Sequence, residues 1–117
     1  MLMSIADAVR KLIEKTGTCD PFRICKELDI IVVKQPLGSE TRGLIRKYKR
    51  SYIICINSDM DEFHQLRTCC HELGHYALHK NINTLFLRTC TYLKIDKHEM
   101  EAEAFADTMM NELFKNL

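Results

Sequence analysis

The chemistry of this 117-residue chain concentrates in one short run, His71-Glu72-Leu73-Gly74-His75. Residues four apart on an α-helix share a face about one turn apart. His71 and His75 can therefore aim an imidazole nitrogen at a common ion, about 2.0–2.1 Å from each. Glu72, one position along, falls beside such an ion, where a carboxylate can take a proton from water and later hand it to a leaving amine. Gly74, with no side chain, leaves room for another element to approach. His-Glu-x-x-His arises by chance on the order of once in a few hundred chains of this size. Two surface histidines sharing a face with a glutamate would be the bland alternative, but the motif sits inside an amphipathic helix rather than a loop.

Two histidines do not complete a catalytic zinc site, which normally has three protein ligands and an open position. No third histidine follows in the His-x-x-Gly-x-x-His pattern, and His79 reads as a packing or helix-end residue. The carboxylates of the last helix, Glu99, Glu101 and Glu103, compete for the role. At about 100° per residue, Glu99 lies roughly 50° from the centre of that helix's apolar stripe, Glu103 about 90° and Glu101 about 110°. Glu99 is thus expected as the third ligand. Glu103, one turn later, is expected to orient a ligand histidine through its other ring nitrogen. Three glutamates on a solvated face are the competing reading. Tyr48, Tyr76, Tyr92 and His98 are candidate donors to a tetrahedral oxyanion.

The elements that would position these groups are legible in outline. Ser4 caps a helix with Ile5, Val9, Leu12 and Ile13 at helical spacing, ending near Gly17. Asp20-Pro21 opens a short helix reaching about Leu28. Ile30 to Val33 is a strand stopped by Pro36 and Gly38, and Gly43–Tyr48 and Tyr52–Asn57 form a hairpin about Lys49-Arg50-Ser51. After a capping signal at Ser58-Asp59, Phe63, Leu66, Cys70, Leu73 and Ala77 mark one buried stripe of the motif helix. Asn81 to Thr91 reads as a loop or irregular crossover. Asp96 caps a last helix with Ala102, Phe105, Ala106, Met109, Met110 and Leu113 facing inward. The expected class is α+β: N-terminal helices, a small three-stranded antiparallel-type sheet, the motif helix and a C-terminal helix supplying the third ligand, all in a single domain over residues 1–117.

A formal charge of +1 provides no global field to attract nucleic acid or an anionic membrane. No apolar run is long enough to span a bilayer, and the N-terminus lacks the pattern of a signal peptide. The six cysteines form no Cys-x-x-Cys pair, so reduced thiols in a cytoplasmic protein are expected. The basic cluster Arg42, Arg46, Lys47, Lys49 and Arg50 reads as a charge-guarded hairpin edge, along which an extended substrate could add as a strand.

Three stretches together carry a resemblance: Ile54-Cys55-Ile56-Asn57, then Thr68-Cys69-Cys70-His71-Glu72-Leu73-Gly74-His75 with Leu78-His79, then Glu99-Met100-Glu101-Ala102-Glu103-Ala104-Phe105-Ala106. Their order and spacing, over about residues 40 to 110, resemble the ImmA/IrrE-type metallopeptidases. The resemblance likewise puts the third ligand at Glu99, and it has Asp or Asn where this chain has Glu103. Leu66-Arg67 and Met109-Met110-Asn111-Glu112 depart from the family pattern, and a C-terminal extension of longer relatives is expected to be missing. The resemblance implies a cytoplasmic, zinc-dependent endopeptidase of bacterial or phage type. Its expected partner is a protein substrate, a helix-turn-helix DNA-binding repressor of a mobile element or stress response. Two other functions fit the same residues: a non-catalytic zinc-binding regulatory module, and a toxin–antitoxin component. Glu72 separates the first from a peptidase, because a structural zinc site has no use for a carboxylate between its histidines.

Overall fold

A computed structural model describes residues 4–79, 84–87 and 97–115. Helix α1 (Ile5–Thr16) starts where the Ser4 hydroxyl accepts the Asp7 N–H at 3.1 Å, and it buries Ala8, Val9 and Leu12. Helix α2 (Pro21–Glu27) starts where Asp20 accepts the Phe22 N–H at 3.0 Å, with Pro21 in the first turn, where no N–H is needed.

Three strands follow: β1 (Ile31–Gln35), β2 (Thr41–Tyr48) and β3 (Ser51–Asn57). β2 and β3 pair as the expected antiparallel hairpin, turning through Lys49 at φ 57°. β1 pairs with β3 in parallel, with Ile31 opposite Ile53 and Gln35 opposite Asn57. Asn57 explains this departure from an antiparallel sheet. Its buried side chain accepts the Leu37 N–H at 3.0 Å and donates to the carbonyls of Gly38 and Thr41, both at 2.7 Å. The β1–β2 loop is thereby fastened across the end of β3, so β3 is inserted between two strands that run opposite to each other.

Among the described residues the sheet has four strands rather than three. Strand β4 (Thr84–Leu87) pairs antiparallel with β2 and gives the order β1-β3-β2-β4. It falls within the stretch read as an irregular crossover, where Thr84-Leu85-Phe86-Leu87 is too short a run for periodicity to identify. β4 also covers β2 from Thr41 to Ile45, so the basic hairpin is not a free sheet edge over that length. Among the described residues the outer strands are β1 and β4.

Helix α3 (Glu62–Leu78) is capped by Asp61, which accepts the His64 N–H at 2.8 Å. The expected cap at Ser58-Asp59 is instead part of the preceding turn, where the Asp59 N–H donates to Asn57 Oδ1. Every residue from Thr68 to His75 is buried, so the middle of α3 is enclosed on all sides and not along one stripe. The sheet, α2 and α4 (Lys97–Lys115) all pack against it. Phe63, placed in the stripe by its spacing, is 50% exposed. On α4 the inward row is largely as expected, with Ala102, Phe105, Ala106, Met109 and Met110 buried and Leu113 only partly so. The predicted cap Asp96 lies outside the described residues. The architecture is α+β, and no described helix is long and apolar enough to cross a membrane.

Candidate metal centre

Two glycines set how closely α3 is approached. A Cβ built on Gly74 would lie 3.0 Å from Phe105 Cβ and 3.1 Å from Ala102 Cα, so α4 rests directly on the α3 backbone there. On the other side, a Cβ on Gly43 of β2 would lie 2.7 Å from Thr68 Cγ2, 2.8 Å from the Cys55 carbonyl and 3.3 Å from Glu72 Oε2. His71, Glu72 and His75 are therefore gripped between a helix and a strand, and all three are fully buried.

Their possible donor atoms lie within 4.8 Å of one another. Both imidazoles turn Nε2 toward α4, where Glu99 bridges them: Oε2 is 2.8 Å from His71 Nε2 and Oε1 is 2.8 Å from His75 Nε2. Glu103 Oε1 stands 2.6 Å from His71 Nδ1, the ring's other nitrogen. Arg67 holds Glu103 in turn, donating to Oε2 at 2.9 Å, while its second terminal nitrogen reaches Asp107 at 2.8 Å.

A register organises these contacts. Arg67, His71 and His75 follow at intervals of four on α3, and Asp107, Glu103 and Glu99 face them in reverse order on α4. Two antiparallel helices brought close by Gly74 zip one cationic or imidazole row against one carboxylate row. Glu101, ranked least inward by its angle on the helix, meets His79 Nε2 at 2.9 Å. His79 Nδ1 lies 3.2 Å from His75 Nδ1, and the His79 ring packs on His98 with centroids 4.1 Å apart.

The electrostatics follow from this geometry. Burial lowers the basicity of His71, but hydrogen bonds to Glu103 and Glu99 and the nearby Glu72 charge outweigh it, raising the pKa from 6.5 to about 9. Burial raises Glu99, and the two imidazoles more than reverse that, bringing it down to about 2. Glu103 falls to about 2, mainly through its bond to His71, with Arg67 adding to the effect. His71 is therefore an imidazolium in the metal-free protein, donating a proton to each carboxylate.

The donor set fits a divalent metal ion. Two Nε2 atoms converge on one carboxylate in a buried pocket, and both distal ring nitrogens have polar partners that fix the ring planes. His71, His75 and Glu99 are the residues that could hold it, with Glu72 alongside.

The oxyanion-donor candidates are less gathered. Tyr76 packs edge-on against Tyr52 at 4.9 Å between ring centroids, and Tyr48 is 62% exposed. His98 stacks on His79, and Tyr92 lies outside the described residues. Sequence reasoning missed Arg67 and Asp107, although their four-residue spacing from His71 and Glu103 was a usable signal. His79, read as a packing or helix-end residue, closes α3 and packs on His98. Cys25, Cys69 and Cys70 are buried thiols, with the Cys25 and Cys69 sulfurs 3.8 Å apart. Burial pushes Cys70 up to about 12, which leaves it unreactive as a thiolate.

Comparison with known proteins places this geometry in context. The IrrE N-terminal-like domain, a peptidase family, matches residues 25–113. A protein of Bacillus phage phi105 named "Uncharacterized immunity region protein 2" is 37% identical over 102 residues, covering 87% of this chain and 65% of the relative. Metallopeptidase ImmA of Bacillus subtilis (strain 168) is 36% identical over 116 residues, covering 92% of this chain and 67% of the relative. The chain thus spans about two thirds of the length of these curated relatives. No solved structure gives a significant match. The matched span contains α3, α4 as far as Leu113 and every residue of the candidate centre, and the chain belongs to the ImmA/IrrE-type metallopeptidase family.

Proposed function

We propose that this chain is a zinc-dependent endopeptidase that cleaves a specific intracellular protein. The observation that carries the reading is the convergence of His71 Nε2 and His75 Nε2 on Glu99, with Glu72 buried beside them. In this reading His71, His75 and Glu99 are the metal ligands, Glu103 orients His71, and Glu72 is the general base.

A zinc ion bound there would supply Lewis acidity toward the scissile carbonyl and the attacking water. The chain's own residues do the rest. Glu72 accepts the proton of the water as its oxygen bonds to the carbonyl carbon. It then delivers that proton to the nitrogen as the C–N bond breaks. Enclosure by β2 and α4 keeps the Glu72 carboxylate out of bulk water, where its basicity would be spent on solvent hydrogen bonds. Arg67 and Glu103 hold the His71 ring in plane, so the ligand does not have to be ordered at the moment of binding.

A DNA-binding repressor of a mobile element is the proposed substrate, supported by family membership and by the immunity-region relative in a phage. The chain would act on the repressor polypeptide in the cytoplasm, without contacting DNA. The test is incubation of the purified, zinc-loaded protein with the helix-turn-helix repressor encoded nearest its gene, followed by intact-mass measurement. Two fragments whose masses sum to the repressor plus one water, absent with Glu72→Gln, support the reading. An intact repressor held in a stoichiometric complex would replace it with a binding module.

A further inference from the structure

His79 closes α3, its backbone N–H donating to the His75 carbonyl at 2.8 Å, and its side chain is only 7% exposed. Two ring atoms have well-defined partners: Nδ1 faces His75 Nδ1 at 3.2 Å, and Nε2 faces Glu101 Oε1 at 2.9 Å. A nitrogen–nitrogen contact of this length needs one proton between the two atoms. Glu101 decides which ring supplies it. If His79 donated from Nδ1 as a neutral ring, its bare Nε2 would point a lone pair at a carboxylate oxygen. With the proton on Nε2, His79 donates to Glu101 and presents a bare Nδ1 to His75. His75 must then carry a proton on Nδ1 when a metal takes its Nε2, the atom that here faces Glu99 Oε1 at 2.8 Å.

We infer that Glu101 and His79 form a tautomer relay: they are positioning residues that lock His75 in the Nδ1–H form with Nε2 available to a metal. The inference rests on the reading of His75 as a ligand. It assigns His75 an orienting partner as Glu103 does for His71, but a neutral imidazole in place of a carboxylate. His71 is thereby the more strongly polarised of the two ligands. The relay also excludes a different use of the same cluster. His79, His98 and Glu101 have donor atoms within 4.8 Å of one another, a possible second metal site. A metal on His79 Nε2 would force the proton onto Nδ1, against the Nδ1–H of a metal-bound His75, and the 3.2 Å contact could not survive.

The probe is zinc alone, titrated against the full chain with a competing chelator, alongside nitrogen-15 NMR of the histidine rings. The relay predicts one zinc per chain, with His75 protonated at Nδ1 and His79 at Nε2 in the zinc form. His79→Leu should weaken zinc binding about 10- to 100-fold, the range for loss of an orienting partner. His79→Gln, whose amide oxygen can accept from His75, should recover most of it. Glu101→Ala, at a half-exposed position where folding is not at stake, should weaken binding and scramble the His79 tautomer. Zinc affinity within twofold of wild type in His79→Leu and Glu101→Ala would overturn the relay, as would a second zinc lost specifically in Glu101→Ala. Zinc binding that survives His71→Ala unchanged would instead remove the underlying ligand assignment, and the relay with it.

Discussion

Replacing Gly74 by alanine should loosen the metal centre without altering any donor atom. The new methyl would sit 3.0 Å from Phe105 Cβ, 3.1 Å from Ala102 Cα and 3.2 Å from the Ala102 carbonyl oxygen. Carbon–carbon contacts are comfortable at about 3.5–4.0 Å, so α4 must withdraw by about half an ångström. Two of the three obstructing atoms belong to the α4 backbone and the third is a Cβ, so no flexible side-chain end can yield instead. Alanine inside a helix gains about 1 kcal/mol over glycine. Overpacking costs about 1–3 kcal/mol, which leaves a net loss of up to about 2 kcal/mol. A chain this size loses about 4 °C in Tm for each of those kcal/mol. The larger effect falls on the metal, because Glu99 rides on α4 while His71 and His75 ride on α3. Metal–ligand distances tolerate only about 0.2 Å, so zinc affinity should fall at least about tenfold. Chelator competition measures that affinity, and thermal unfolding of the metal-free protein measures stability. A Gly74→Ala protein that melts several degrees higher and keeps its zinc affinity would refute the argument. It would mean that α4 yields freely and helix propensity prevails.

Arg67→Leu should cost about 1 kcal/mol in stability, since the partners Glu103 and Asp107 are partly exposed, and about tenfold in zinc affinity, because Glu103 loses the group that holds it on His71; unfolding and chelator titrations measure both. Gly43→Ala should destabilise by about 1–3 kcal/mol, because the Cys55 carbonyl at 2.8 Å from the new Cβ is backbone within the sheet and cannot swing away; denaturant unfolding checks this. In the metal-free protein, His71 is raised from 6.5 to about 9, so its contribution to stability is complete below pH 6.5 and lost as pH rises through 9. Glu99 and Glu103 are lowered from 4.5 to about 2, so theirs is present above pH 4.5 and lost as pH falls toward 2. Metal-free stability from this cluster should therefore peak between those limits in a pH series of unfolding curves. Because the metal must displace the His71 Nε2 proton, zinc binding at pH 7 should release about one proton from this ring; calorimetry in buffers of different ionisation heat reads it directly.

What the sequence revealed divides along physical lines. Ser4, Asp20-Pro21 and the run from His71 to His75 act through neighbours three or four residues away, so each could be read in isolation. The inward rank of Glu99 over Glu101 followed from the angle of one helix about its own axis, and the contacts to His71 and His75 agree with that rank. The parallel pairing of β1 with β3 depends on Asn57 clasping a loop distant in sequence, which no local period encodes. β4 is four residues long and defined by its pairing with β2 more than by its composition. The enclosure of α3 on every side hid behind its mixed content: Thr68, His71, Glu72 and His75 look like a polar face until α4 and β2 close over them. Arg67 was passed over as a departure from the family pattern, yet its place one turn before His71 put it opposite Glu103.

The central claim is that these residues hold one metal and use Glu72 to hydrolyse a peptide bond. It is tested most directly by measuring zinc per chain in wild type, His71→Ala and Glu72→Gln, with each protein assayed on the neighbouring repressor. One zinc is expected in wild type and in Glu72→Gln, none in His71→Ala, and cleavage by wild type alone, with general-base loss costing about 10²–10⁴-fold. Glu72→Gln that cuts as fast as wild type, or His71→Ala that keeps its zinc, would contradict it.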